Sequence, residues 1–328
     1  MADEGEFLLL RKVRNVREAF GPADLQRSER CIPKIIPDTA SFCEAGDGKM
    51  DRITDYIKMM RIKDWIRFYL FFPLTGAFLA CGFSPDLIPI GIVFFCVIAY
   101  GFVINNYFDV EIDQKHKRKV ESDKNPLACN LVTRRGTLLL SIFLVAVPVF
   151  LSAMMDALGF LFTFMSIFAL TLYSAKPIRL KDWLLVDILC HGIMFGGFPF
   201  LAGFALTGGN PAMSPSLLCV ATSLCTIVCC EALIAHQIND YEDDLGNTDT
   251  TVVRLGKKTG LVLLGVSVLL SVTVLELVVR YTAIEADIHL GILALLISYP
   301  LYSCRGYIEG QGRSIYNKNL APHFQPGR

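Results

Sequence analysis

Two short ladders of polar side chains stand at matching places in the two halves of this sequence. The first is Asn105, Asp109 and Asp113; the second is His236, Asp240 and Asp244. Each begins where a long apolar run ends, after the second and the sixth such run. On a helix, residues spaced i, i+4 and i+8 lie on nearly one face. Carboxylates at the mouth of a membrane helix are costly and mark a site by default. Mg2+ is a hard cation that takes oxygen ligands, keeps several waters and bridges one or two carboxylates to substrate phosphates. Asp109, Asp113, Asp240 and Asp244 supply that chemistry from two sides, and Asn105 adds an amide oxygen or a donor. The pattern predicts a cage for divalent cations that in turn holds a polyanion such as diphosphate. Without metal, the same carboxylates would repel it.

The elements that must position these residues are apolar. The chain has 328 residues, 53% hydrophobic and 19% charged, with mean hydropathy +0.47. That balance excludes an ordinary soluble domain. Eight apolar runs stand out, at about 68–83, 87–104, 137–154, 157–174, 184–207, 216–235, 261–280 and 288–303; a membrane span needs roughly 20 apolar residues, with about 17 tolerated. Lys and Arg sort by side. The connections after runs two, four and six carry Lys115, Lys117, Arg118, Lys119, Lys124, Arg134 and Arg135, then Lys176, Arg179 and Lys181, then Arg254, Lys257 and Lys258. The alternate connections carry none, so the basic loops, both termini and the ladders are expected on the cytoplasmic face.

The two ladders lie four helices apart, each followed by a basic loop and another apolar pair. The expected architecture is all-α, a polytopic membrane bundle of about 8–9 transmembrane helices. Its two four-helix halves share one orientation and surround a central cavity, with the site at their interface. Residues 1–50 are mixed in charge, without a signal-peptide core, and are expected to form a flexible cytoplasmic extension. Residues 51–305 form the membrane domain, and 306–328 a polar tail. The segment 51–67 reads as an amphipathic helix on the cytoplasmic face, with Trp65 and the basic residues at headgroup level. The eleven cysteines do not form a disulfide framework, since most lie in apolar runs, where Cys behaves as a small hydrophobe. Glu111 falls off the ladder face, and His191, inside run five, reads as a residue hydrogen-bonded to a neighbouring helix.

Together these residues resemble the UbiA superfamily of intramembrane prenyltransferases. The stretch NNYFDVEID, Asn105 to Asp113, is similar to that family's NxxxDxxxD motif, and DYEDDLGNTDTTVVRLG, Asp240 to Gly256, to its second aspartate motif with the trailing Thr251. Between them YSAKPIRLKDW, Tyr173 to Trp183, resembles its Tyr-Ser-x-x-Pro-x-x-Leu-Lys loop. The resemblance covers roughly residues 55–305. It implies a helical bundle capped by the motif loops, with two Mg2+ ions bound at Asn105, Asp109, Asp113, Asp240 and Asp244. Tyr173 and Lys181 would lie near the diphosphate, assisted by Arg118 or Lys119, and His236 would stand where the first ladder has Asn. The implied reaction is ionisation of an allylic prenyl diphosphate and capture of the cation by a lipophilic acceptor. The implied partners are those two substrates and membrane lipids; no nucleic acid is expected.

Three departures from the family pattern stand out. The family often follows its first motif with Arg-Pro-x-x-x-Gly, whereas this chain has Asn125-Pro126-Leu127-Ala128-Cys129-Asn130. Eight spans are legible where the family typically has nine, and His236 replaces an Asn. A terpene cyclase on the same scaffold would share every ladder residue and is the alternative function. A transporter or channel is disfavoured, because no apolar run carries carboxylates through its middle.

Overall fold

The computed structural model describes residues 53–114, 124–212, 214–282 and 285–304. The expected extension 1–50, the tail 306–328, Arg118 and Lys119 lie outside the described residues, as does the side chain of Asp243. Among the described residues every regular element is a helix. Six helices are long and apolar enough to cross a membrane, and Phe71–Cys81 and Ala286–Pro300 are shorter apolar helices. They coincide with the eight runs of the sequence.

In chain order, two short helices, α1 (Ile53–Met59) and α2 (Ile62–Trp65), precede α3 (Phe71–Cys81) and α4 (Leu87–Phe108). A single turn, α5 (Val110–Asp113), follows. The first half closes with α6 (Arg134–Met155) and α7 (Ala157–Ser174). The second contains α8 (Val186–Leu206), α9 (Pro215–Asp244), the short α10 (Thr251–Leu255), α11 (Lys257–Tyr281) and α12 (Ala286–Ser303). Side-chain caps mark two of the starts: Thr133 Oγ1 accepts from Gly136 N at 3.1 Å, and Asp156 Oδ1 from Gly159 N at 2.7 Å.

The halves match in packing. The ladder helix of each half lies against the helix that follows it, α4 on α6 and α9 on α11, and the first helices of the halves, α3 and α8, pack together. That contact needs two glycines. A Cβ on Gly76 would sit 2.0 Å from Phe200 O, and one on Gly203 would sit 1.9 Å from Pro73 O. In lipid, where no hydrophobic force pulls helices together, such close backbone approach supplies the association.

Two expectations change. The segment 51–67 is not a helix lying on the surface. It breaks at Arg61, whose φ is +51°, and Trp65 is fully buried. The indole nitrogen donates to Met60 O at 2.8 Å, and the ring lies against Phe95 and Phe102. Once its N–H has an internal acceptor, nothing holds the indole at the headgroups, and burial against aromatic rings wins. The first ladder is likewise not one helical face, as described below.

Candidate active site

A pocket of about 460 Å3 lies between the two halves. Asn105 and Asp109 line it from the end of α4, and His236, Asp240 and Asp244 from the end of α9. Tyr173 and Ser174 enter from the last turn of α7, Arg179, Lys181 and Asp182 from the loop after it, Arg61 from the break between α1 and α2, and Asp64 from α2. The structure thus brings together Asn105, Asp109, Asp240, Asp244, Tyr173, Lys181 and His236 of the residues singled out in the sequence.

Asp109 is buried and bound by two cations. Arg179 Nη1 lies 3.0 Å from its Oδ1, and the Lys181 ammonium meets Oδ2. Arg179 is held in turn by Asp182, 2.6 Å from Nε. Lys181 Nζ also donates to Asn105 Oδ1 at 2.8 Å, which accepts from Ser174 Oγ at 3.2 Å as well. The loop therefore neutralises the first ladder. Arg179 was missed in the sequence, where it served only as a topology signal. Its place two residues before Lys181, in the same motif, was the available clue.

Asp113 does not line the pocket. α4 ends at Asp109, whose φ and ψ of −96° and 5° leave the helical region. The cause is Asn125. Its Nδ2 donates to the Asn106 carbonyl at 2.8 Å, which in an unbroken helix would receive the Val110 N–H. The same amide donates to Asp113 Oδ2 at 2.8 Å, and its Oδ1 accepts from Leu127 N and Ala128 N. A side chain inserted into the hydrogen-bond ladder kinks a helix, and here it turns Asp113 inward, 2% exposed. Asn130, the other departure, has φ +55°, a left-handed turn that Asn tolerates where Gly is the usual choice. We expect Asn125→Ala to cost about 1–3 kcal/mol for each buried group it strands, read as a lower Tm, and to reduce activity by releasing Asp113.

The second ladder is continuous, on the last turns of the 30-residue α9. His236 Nε2 lies 3.4 Å from Asp240 Oδ2. Gln237 faces inward and ties this helix to a buried anchor. Asp187, at the start of α8, is fully buried. It accepts from Gln237 Nε2 at 2.8 Å, Ile188 N at 2.8 Å, Thr251 N at 2.9 Å and the Thr251 hydroxyl. This explains Thr251 in the second motif. Asp187 was not singled out in the sequence, although a carboxylate inside an apolar run is a signal.

The floor of the pocket is aromatic. His191 Nδ1 lies 3.0 Å from the Cys229 carbonyl, which only accepts, so in the neutral ring Nδ1 carries the proton and Nε2 accepts from the Tyr69 hydroxyl at 3.1 Å. Tyr69 stacks on Phe195 with centroids 4.4 Å apart, and Tyr173 flanks His191. Glu111 and Glu242 are exposed on the rim, near Lys176 and Lys257. Cys225, Cys229 and Cys230 are free thiols. Among the described residues, no three His, Cys, Asp or Glu side chains converge as metal ligands. The donors nonetheless fit a hard cation in kind, since Asn105, Asp109, Asp240 and Asp244 offer oxygen from opposite walls of one pocket.

Residues 69–314 match the UbiA prenyltransferase family. Digeranylgeranylglyceryl phosphate synthase of Thermococcus kodakarensis is 26% identical over 255 residues, 75% of this chain and 84% of that protein. A UbiA homolog from Archaeoglobus fulgidus bound to GPP and Mg2+ has the same fold, with TM-score 0.63 and 21% identity over 84% of this chain and 89% of that one. The apo UbiA homolog from Aeropyrum pernix K1 gives TM-score 0.62 at 18% identity, covering 83% and 95% of the two chains.

Proposed function

Because this chain belongs to the UbiA prenyltransferase family and is an integral membrane protein, we propose that it ionises an allylic prenyl diphosphate in the pocket between its halves and transfers the prenyl group to a lipophilic acceptor. One observation carries this: oxygen donors from two separate ladders and the cations of a third motif face one pocket. Asn105, Asp109, Asp240 and Asp244 would hold Mg2+, the ion named with GPP in the Archaeoglobus fulgidus homolog. Bound there, Mg2+ would take up charge on the departing diphosphate.

The chain's own groups do the rest. Lys181 and Arg179, already at Asp109, line the pocket and would bind the oxygens of a diphosphate there. Tyr173 borders the same volume. The faces of Tyr69 and Phe195 would stabilise the allylic cation, and the apolar floor would exclude water from it. Asp113 enters this reading as the partner that Asn125 holds, rather than as a metal ligand. The basic loops support a cytoplasmic opening of the pocket.

The test is an incubation of the purified full-length chain with Mg2+ and labelled allylic diphosphates of several lengths, without acceptor, followed by mass spectrometry. Substrate should bind and stay intact, then turn over when a membrane lipid extract is added. EDTA should stop that turnover. A cyclic hydrocarbon or terpene alcohol formed without acceptor would replace this reading with the cyclase.

A further inference from the structure

A second cavity, of about 880 Å3, lies between α3, α9, α11 and α12. Its wall is almost wholly apolar, and it shares Phe68 and Tyr299 with the polar pocket. These two rings stack at 5.1 Å, so this aromatic pair borders both spaces. Phe71, Phe78, Ile288 and Leu295 on its wall are also exposed on the outside of the bundle, where a membrane would present lipid.

One group does not belong in such a cavity. Glu231, on α9, is 1% exposed and lines it, and its Oε1 has no hydrogen-bond partner. Several of the other polar wall groups have partners or face outward. The hydroxyls of Thr75 and Thr282 donate to their own helices, to Phe71 O and Val278 O at 2.9 Å. Arg67 and Glu285 are exposed. Ser271 interacts with the Glu231 carboxyl, but its hydroxyl donates to Val268 O at 2.9 Å, and Oε1 stays without a partner. A buried polar oxygen without a partner is costly, and a hydrocarbon chain in the cavity would leave it so.

We propose that this cavity is a binding site for a neutral lipid carrying an alcohol or phenol, whose hydroxyl donates to Glu231. Glu231 stands nine residues before Asp240 on one helix, about 13 Å along its axis. The hydroxyl it holds is therefore not the nucleophile but an anchor that sets the depth of the lipid beside the diphosphate pocket. Glu231 is thus a specificity residue, favouring hydroxylated lipids over plain hydrocarbon. That the bound lipid is the acceptor rests on the function proposed above.

The experiment uses the full-length chain in nanodiscs and two photoreactive probes, a long-chain diazirine alcohol and the matched alkane, with labelled residues mapped by mass spectrometry. The alcohol should label the walls of this cavity at roughly tenfold to hundredfold lower concentration than the alkane. Glu231→Leu should equalise the two, and Glu231→Gln, which keeps a hydrogen-bonding oxygen, should retain a preference. Equal labelling of the unaltered chain, or a preference that survives Glu231→Leu, overturns the site. Mg2+-dependent binding of geranyl diphosphate is measured beside it. Its loss in the unaltered chain would defeat the proposed function and leave the hydroxyl site standing. With that binding intact, prenyl transfer to a limiting membrane lipid extract should fall at least roughly tenfold in Glu231→Leu; an unchanged rate overturns the acceptor assignment.

Discussion

Asp109→Asn should lower Mg2+-dependent prenyl transfer by on the order of a thousandfold, the scale on which one preorganised electrostatic group contributes to a charge-separating step. It should also destabilise the fold. Asp109 is buried between Arg179 and Lys181, and removing its charge takes a buried counter-charge from both cations, Arg179 keeping only Asp182. Breaking a buried pair in this way costs about 3–5 kcal/mol. Asp240→Asn separates the two effects. Its carboxylate is 34% exposed and faces His236, so activity should fall as far with little change in Tm. Turnover in detergent micelles and a thermal melt of each variant check both statements. Full activity in both would remove the aspartates from the reaction.

Asp187→Ala should be the most damaging change away from the pocket. The carboxylate accepts four hydrogen bonds and joins the start of α8, the inner face of α9 and the start of α10. Hydrogen bonds to a charged group contribute about 1.5–3 kcal/mol each. Because the stranded donors will partly find other partners, a loss of at least about 3 kcal/mol is expected. The activity loss should be larger than stability alone explains, because Gln237 lies between His236 and Asp240 and sets their direction. Measured at a temperature where the variant is still folded, turnover should be at least roughly tenfold down. Unchanged turnover there would make Asp187 an anchor of the fold only.

The residues that were legible share one property: a local signal. Apolar run length gave eight helices because a backbone in lipid must satisfy its own hydrogen bonds. Charge costs at a helix end pointed to Asp109, Asp240 and Asp244. Trp65 shows the limit. Its amphipathic neighbourhood fitted the headgroup region, but Met60 O offered its N–H an acceptor inside the protein, and sequence spacing carries no record of that. Asn125 is similar. It read as a departure from a motif, whereas its amide takes over a backbone carbonyl 19 residues earlier.

The sequence by itself determined the all-helical membrane architecture, the repeat of two four-helix halves and most of the oxygen-bearing side chains that line the pocket, because periodicity, hydropathy and residue type act over a few turns of one helix. Only the tertiary structure decided which charges meet. It put Arg179 and Lys181 on Asp109, turned Asp113 to Asn125, buried Asp187 under Thr251 and left Glu231 facing an apolar cavity. Each of these arises where separate segments of the chain pack together, and its energy depends on burial and on a partner's orientation, which no local pattern contains.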